Sequence, residues 1–338
     1  MPKWVICIPL VVQWLWLGLR HGSLSLPTVA NPRITAGGMV GEGKLEYFVG
    51  MGPVARAATA RHCGLRVEEG LSRETIETCM RCAGLGFPLV AKPDLGLCGH
   101  GVRRIDSWDE LQLYIEHFPR GETVVLQEYL PQEGEAGIFY ARDPDSGEGR
   151  LIGLALREFP RVTGDGVRNI GDLVSADGRA RRVASRWHQW THDPNHVPTA
   201  GEVVRLSTIG STRVGGLYRD GQHLITPELT RAIDGIARDM PDFHFGRFDV
   251  RFESTRELAA GRGLRIMEVN GAGSEAIQAW DPRTPLLRGF AIIFAKQRVL
   301  FDIAAARRRE GWRPLALIAL ARLNVRQQRL IARYPASN

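Results

Sequence analysis

The sequence predicts an α+β protein, and three observations carry that prediction. Short apolar runs bounded by glycine, proline or turn residues read as strands at 87–92, 102–105, 124–128, 151–157, 201–206, 245–253 and 264–270. Helical periodicity appears at 73–83, 108–117 and 228–240, the last opened by Thr226-Pro227. From about 285 the pattern turns helical and amphipathic, with breaks at Gly311 and Pro314.

Each stretch has its reason. Up to Ser72 the chain is punctuated by Gly37-Gly38, Gly41, Gly43, Gly50 and Gly52, and no repeat is visible. The run 87–92 is apolar enough to be a buried strand, and Pro93 ends it. Gly96, Gly99 and Gly101 make the next segment a turn between two strands. A Walker loop would open into a helix and end in Gly-Lys-Ser/Thr, and that motif is absent. Asp143-Pro144-Asp145-Ser146-Gly147 is a further turn. These breaks divide the chain into a divergent N-terminal segment with an apolar helix (1–72), two α+β parts (73–150 and 151–284) and a basic helical appendage (285–338). In the appendage Phe290, Ile293, Phe294 and Leu300 are expected to face a partner surface.

Composition narrows the function. With 338 residues, 44% of them apolar, the chain can bury a sizeable core and is not disordered. Lys plus Arg exceed Asp plus Glu by 44 to 37, a net charge of +7. Much of the excess lies at Arg307, Arg308, Arg309, Arg313, Arg322, Arg326, Arg329 and Arg333, which reads as a solvated helix face. No aromatic-and-basic reading motif accompanies it, so nothing calls for nucleic acid.

Five cysteines, odd in number and scattered, make no disulfide framework and point to a reducing compartment, the cytoplasm. Cys79 and Cys82 form a lone CxxC, half of a zinc site. After Lys3 an apolar run extends over 4–19, broken only by Gln13. It is short for a membrane span, carries Trp4, Trp14 and Trp16, and no small-x-small cleavage site follows. The expectation is a helix of the mature protein, buried or in peripheral contact with a membrane together with the basic C-terminal helices. A homodimer is left open.

The residues suited to chemistry fall into three groups. Asp249 lies in Gly246-Arg247-Phe248-Asp249-Val250, while Glu268 and Asn270 lie in Met267-Glu268-Val269-Asn270. Alternation puts Glu268 and Asn270 on one face, and a neighbouring strand can bring Asp249 beside them, giving three oxygen ligands for Mg²⁺. Arg247 shares the face of Asp249 and supplies a permanent positive charge where a transferred phosphoryl group or an oxyanion needs it. The alternative is a polar face on an edge strand. Lys92 closes a buried strand and faces the turn with Gly99 and Gly101, where an amino group and glycine amides can approach phosphates. Gln127-Glu128-Tyr129-Leu130, with Glu135 beyond, places a carboxylate and a linker where a nucleotide base and ribose are bonded.

Taken together, over residues 73–281, these motifs resemble the ATP-grasp carboxylate-amine ligases. The likeness is nearest to the branch of cyanophycin synthetase, bifunctional glutathione synthetase and D-alanine-D-alanine ligase, through 161–166, 170–173, Val197-Pro198, Gly201-Glu202 and Gly215-Gly216. The resemblance implies an ATP-grasp fold, two α+β subdomains clasping ATP. It implies Lys92, Gly99 and Gly101 on the ATP phosphates, and Glu128, Tyr129, Leu130 and Glu135 at base and ribose. Asp249, Glu268 and Asn270 would hold two Mg²⁺ ions, for which Mn²⁺ can substitute, and Arg247 and Lys92 would be catalytic. Arg157, Arg161 and Ser274 would meet substrate. The activity implied joins a small carboxylate to an amine, an amino acid or peptide, through an acyl phosphate. A nucleotide-binding scaffold of the same fold without turnover is the other reading.

Two features depart from the pattern. After Asn270 the chain reads Gly271-Ala272-Gly273-Ser274-Glu275, without the proline usual in D-alanine-D-alanine ligases. The N-terminal segment, with its Trp14 to Leu17 stretch and Asn31-Pro32, is similar to a set of uncharacterised ATP-grasp proteins. His188, His192 and His196 fall four apart, but Asp193-Pro194 breaks a helix there, so a loop is expected rather than a zinc site.

Overall fold

A computed structural model describes residues 3–184, 193–207 and 210–337. In chain order the elements begin with α1 (Lys3–Arg20), α2 (Lys44–Val49), α3 (Pro53–Ala58), β1 (His62–Arg66), α4 (Arg73–Cys82), β2 (Leu89–Pro93) and β3 (Arg103–Ile105). They continue with α5 (Trp108–Glu116), β4 (Thr123–Glu128), β5 (Gly134–Arg142), β6 (Gly149–Glu158), β7 (Arg161–Thr163), α6 (Ile170–Ala176), α7 (Arg181–Ala184), β8 (Val203–Arg205) and β9 (Leu217–Asp220). The chain closes with α8 (Pro227–Arg238), β10 (Phe245–Phe252), α9 (Thr255–Ala259), β11 (Leu264–Asn270), α10 (Leu286–Arg309) and α11 (Leu317–Ile331). The fold class is α+β, and β1 with β4, β2 with β3 and β4, β5 with β6 and β10, β10 with β11, and β7 with β8 pair antiparallel.

The chain divides into two compact units, each assembled from separated pieces. The first comprises 1–60, 130–156 and 219–329; the second comprises 61–129, 157–218 and 330–338. These units cut across the consecutive segments suggested by glycine and charge patterns.

In the first unit a five-stranded sheet runs in the order β11-β10-β5-β6-β9. One face packs Ile138, Tyr140, Leu154, Phe248, Val250 and Val269 against α8, whose Leu229, Ile233, Ile236 and Ala237 form its buried stripe. Thr226 caps that helix by accepting from the Leu229 amide, and Pro227 stands at its first turn.

β5 lies beyond the linker that follows Glu128 and is a strand the sequence pattern does not announce. Its residues Ala136, Ile138, Phe139, Tyr140 and Ala141 are buried, so both faces are covered and the simple alternation of a half-exposed strand is missing.

The C-terminal helices also differ from expectation. Leu300 of α10 does not face a partner: it is buried with Phe301, Ala304, Phe245, Ala272 and Leu17. The inner face of α1 meets α10 through an edge-on contact of Trp14 with Phe301 at 5.0 Å and a hydrogen bond from Gln13 Nε2 to the Phe294 carbonyl at 2.8 Å. Ile8, Val11, Val12, Leu15, Trp16 and Leu19, spaced at helical intervals, are exposed on its other face. Among the described residues no helix is long and apolar enough to cross a membrane.

In the second unit a four-stranded sheet has the order β1-β4-β2-β3. Leu89, Ala91, Ile105, Val124 and Leu126 pack with Ile76 and Met80 of α4 and Leu111 and Tyr114 of α5. Ser72 and Ser107 cap these helices through the Thr75 and Glu110 amides. A separate ladder, β7 with β8, packs with α6 around Val162, Leu173, Val174 and Val204.

Candidate functional site

Strand register decides which side chains of the first unit meet. Arg247 lies opposite Asn270 and Asp249 opposite Glu268. On the other side of β10, Arg247 lies opposite Phe139 and Asp249 opposite Gly137. Directly opposed residues share a face. Arg247, Asp249, Glu268 and Asn270 therefore stand together, on the face opposite the core residues Phe248, Val250 and Val269. Gly137 keeps this face open: a Cβ there would come within 2.9 Å of Arg247 Cδ and 3.2 Å of Asp249 Oδ1.

The four side chains form one bonded group. Arg247 donates from Nε to Asp249 Oδ1 at 2.6 Å and from Nη2 to Oδ2 at 3.0 Å. Asn270 Nδ2 donates to Asp249 Oδ2 at 3.1 Å. Lys44, itself buried, places Nζ 3.5 Å from Glu268 Oε1. Burial pushes the Glu42 carboxyl up to about 7, with Glu46 and Glu268 adding to the shift and a backbone hydrogen bond and Lys44 opposing it.

The glycine-rich N-terminal segment delivers Glu42 and Lys44. The Ala272 and Gly273 amides donate to the carbonyls of Gly37 and Gly38, at 3.1 and 2.7 Å. A Cβ on Gly38, whose φ is +78°, would come within 2.6 Å of Gly271 Cα. Only glycine permits both that conformation and that approach.

Two carboxylates and an amide on adjacent strands are hard oxygen donors of the kind that hold Mg²⁺ with the help of substrate phosphates. No group of three His, Cys, Asp or Glu side chains suited to a metal occurs among the described residues. The fit therefore depends on the Asn270 amide as third donor and on Arg247 and Lys44 yielding part of the two carboxylates.

Further along the same face, Glu135 lies opposite Arg251 and pairs with it, Oε2 to Nη2 at 3.3 Å, both side chains almost fully buried. Arg251 also donates to the Gln132 carbonyl at 3.0 Å. Ser274 is buried, and its Oγ has no hydrogen-bond partner among the described residues. Leu130 is buried at the start of this part of the unit.

The second unit holds the lysine and the glycine turn. Lys92, buried on β2, donates from Nζ to Gln127 Oε1 of β4 at 2.8 Å. Gly99 and Gly101 both have φ of +72°. The Gly99 carbonyl accepts from Arg213 Nη2 at 3.2 Å and from Ser337 Oγ at 2.8 Å, so an arginine and the chain end tie the turn down. Glu128 accepts from Arg61 Nε at 2.6 Å, and Arg104 lies over the Tyr129 ring at 4.6 Å.

Register puts Glu128 opposite Leu89, and Gln127 opposite Val90. Lys92 and Glu128 thus point to opposite faces of this sheet. Arg161 lies opposite Arg205 in the small ladder, while Arg157 sits near the end of β6. The two arginines named as substrate clamps stand on different strands.

No family model matches the chain. No curated protein matches it either. Among solved structures it is similar to D-alanine-D-alanine ligase from Bacillus anthracis, at 15% identity and a TM-score of 0.43, over 80% of this chain and 68% of that one. It is similar to the VanG D-Ala:D-Ser ligase from Enterococcus faecalis at 14% identity and a TM-score of 0.41, over 79% and 62%. A bifunctional glutathione synthetase from Pasteurella multocida gives 14% identity and a TM-score of 0.36, over 75% of this chain and 36% of that one. The chain thus spans about a third of the glutathione synthetase and less than two thirds of the D-Ala:D-Ser ligase. At such distances the likeness decides neither activity nor substrate, which rest on the residues themselves.

Several residues at these sites were not singled out from sequence. Glu42 and Lys44 sit between glycines in Gly41-Glu42-Gly43-Lys44, a spacing that marked a turn and nothing more. Arg251 continues the alternation Arg247, Asp249, Arg251 and was legible from it. His188 and His192 lie outside the described residues; His196 uses its carbonyl to accept from the Ile170 amide. Cys79 is set against Cys63, whose hydrogen bond draws the Cys79 thiol down while the Cys63 thiol is pushed up.

Proposed function

We propose that the protein is an ATP-dependent carboxylate-amine ligase that forms an amide through an acyl phosphate, releasing ADP and phosphate. The observation that carries this is the placement of Arg247, Asp249, Glu268 and Asn270 on one sheet face by register. Phosphoryl transfer to a carboxylate gathers negative charge, and the protein's contribution is position and counter-charge rather than a covalent nucleophile.

In this reading Asp249, Glu268 and Asn270 hold Mg²⁺, as two ions that Mn²⁺ can replace. The metal, when bound, neutralises charge on the phosphates. Arg247 steadies the transferred group, and Lys92 with the Gly99 and Gly101 turn contacts ATP phosphates. Glu128, Tyr129, Leu130 and Glu135 serve the base and ribose, and Arg157, Arg161 and Ser274 serve the substrates, a small carboxylate and an amine. Cytoplasm is the compartment proposed, with the exposed outer face of α1 as the surface for peripheral membrane contact.

The test is a screen of amino acids and short peptides for ATP- and Mg²⁺-dependent phosphate release. The reading expects release that requires both an acid and an amine. ATP binding without turnover under any pair would favour the scaffold instead.

A further inference from the structure

The glycine turn of the second unit holds a residue in an unfavourable conformation. Cys98 has φ of +51°, in the left-handed region, and Gly99 follows at +72°. A side chain larger than glycine is disfavoured there and persists only where the surroundings dictate it.

The surroundings come from far along the chain. Tyr334 donates from its hydroxyl to the Leu95 carbonyl at 2.6 Å, and its ring stacks on Phe118 with centroids 5.4 Å apart. Ser337, itself buried, donates from Oγ to the Gly99 carbonyl at 2.8 Å. Arg213 donates from Nε to the Cys98 carbonyl at 3.1 Å and from Nη2 to the Gly99 carbonyl at 3.2 Å. The same Nη2 reaches Ser337 Oγ at 3.4 Å, which joins the two clamps. Gly101 passes between Pro93 and Tyr334: a Cβ there would come within 2.7 Å of Pro93 Cγ and 3.1 Å of Tyr334 Cβ.

These bonds set the direction of the turn's amides. In a trans peptide the carbonyl and the N–H point opposite ways. With the Cys98 carbonyl drawn to Arg213, the Gly99 amide points away from the guanidinium, and it has no acceptor among the described residues. The Gly99 carbonyl is drawn to Arg213 and Ser337 as well. Carbonyls turned the other way would set their negative ends against an anion, whereas an outward amide suits a phosphate oxygen.

We propose that Tyr334 and Ser337 are positioning residues for the nucleotide, fixing the carbonyls of the glycine turn to one side so that its amides meet the phosphate chain of ATP. This rests on the ligase reading above, which gives the turn to the phosphates, and deepens it by making phosphate affinity depend on residues 334–337. Neither side chain touches the ligand; both act through the turn.

The experiment measures binding of ATP and of adenosine to the full-length chain in Mg²⁺ by calorimetry, together with hydrogen exchange over residues 95–101. Tyr334→Phe keeps the ring stack and removes the hydroxyl. Ser337→Ala removes Oγ, and Ser337→Thr keeps it. Tyr334→Phe combined with Ser337→Ala is expected to weaken ATP about tenfold, within the range of one or two neutral hydrogen bonds. Exchange over 95–101 should quicken, and adenosine, which has no phosphate, should bind as it does to the wild type. Ser337→Thr is expected to bind ATP more tightly than Ser337→Ala and close to the wild type.

Unchanged ATP affinity in the double variant would overturn the proposal. Equal weakening of ATP and adenosine would show a general structural role, and unchanged exchange would show that the turn is held without these residues; either result also overturns it. Failure of the wild type to bind ATP would instead strike the ligase reading, and the roles of Tyr334 and Ser337 with it.

Discussion

Arg247 holds Asp249 by two parallel hydrogen bonds, at 2.6 and 3.0 Å, with the carboxylate almost fully buried. A buried carboxylate gripped in this way is stable without metal, and a cation arriving at Asp249 has to share it. Removing the guanidinium leaves an uncompensated buried charge, destabilising by about 3–5 kcal/mol. Arg247→Met is therefore expected to melt well below the wild type in EDTA. Added Mg²⁺ should raise its melting temperature more than it raises that of the wild type. Equal metal-induced shifts in the two proteins would show that Asp249 does not meet the ion.

Asn31 is expected to be a stability residue of the first rank. Fully buried, it donates from Nδ2 to the Gly37 and Phe245 carbonyls, and its Oδ1 accepts from the His244 and Phe245 amides. It thereby ties the glycine-rich segment that carries Lys44 to the start of β10. Asn31→Ala leaves buried backbone groups on both sides unpaired, at about 1–3 kcal/mol for each unsatisfied group. Chemical denaturation should show a loss of several kcal/mol, and a loss below about 1 kcal/mol would contradict the role.

His244 sets a pH window for stability. Burial lowers its imidazole from 6.5 to about 4, with Arg142 and Arg307 adding to the effect. The unfolded chain takes up this proton as pH falls through 6.5, whereas the folded chain resists until about 4. The folded state is thus undisturbed above 6.5 and loses stability between 6.5 and 4, by up to about 3 kcal/mol. Across that window His244→Phe should decline less steeply than the wild type. Parallel curves would show that the fold does not lower the pKa of His244.

The chemistry-bearing strands were legible because side-chain alternation is a local property. Arg247 with Asp249, and Glu268 with Asn270, declare their faces from spacing alone, and one antiparallel register joins them. Caps and periodicity likewise announced α4, α5 and α8. What could not be read depends on distant pairing. β5 is covered on both faces and loses the alternation that marks a half-exposed strand. Lys44 reaches Glu268 only because backbone bonds from Ala272 and Gly273 bring the glycine segment there. Glu135 looked like a ribose ligand in isolation, and its ion pair with Arg251 depends on the β5–β10 register.

The most direct test of the site is ADP formation by Asp249→Asn and Glu268→Gln, measured against Mg²⁺ concentration with wild-type protein alongside. Both changes keep size while removing the anionic oxygen that binds a hard cation; Asp249→Asn also removes an acceptor of the Arg247 and Asn270 hydrogen bonds. The expected result is a rate lower by about 10²-fold or more in each variant, with Mg²⁺ required at higher concentration, thermal melting intact in Glu268→Gln and lowered in Asp249→Asn, whose Arg247 loses its buried counter-charge. Wild-type rates and an unchanged Mg²⁺ requirement in both variants would contradict the account.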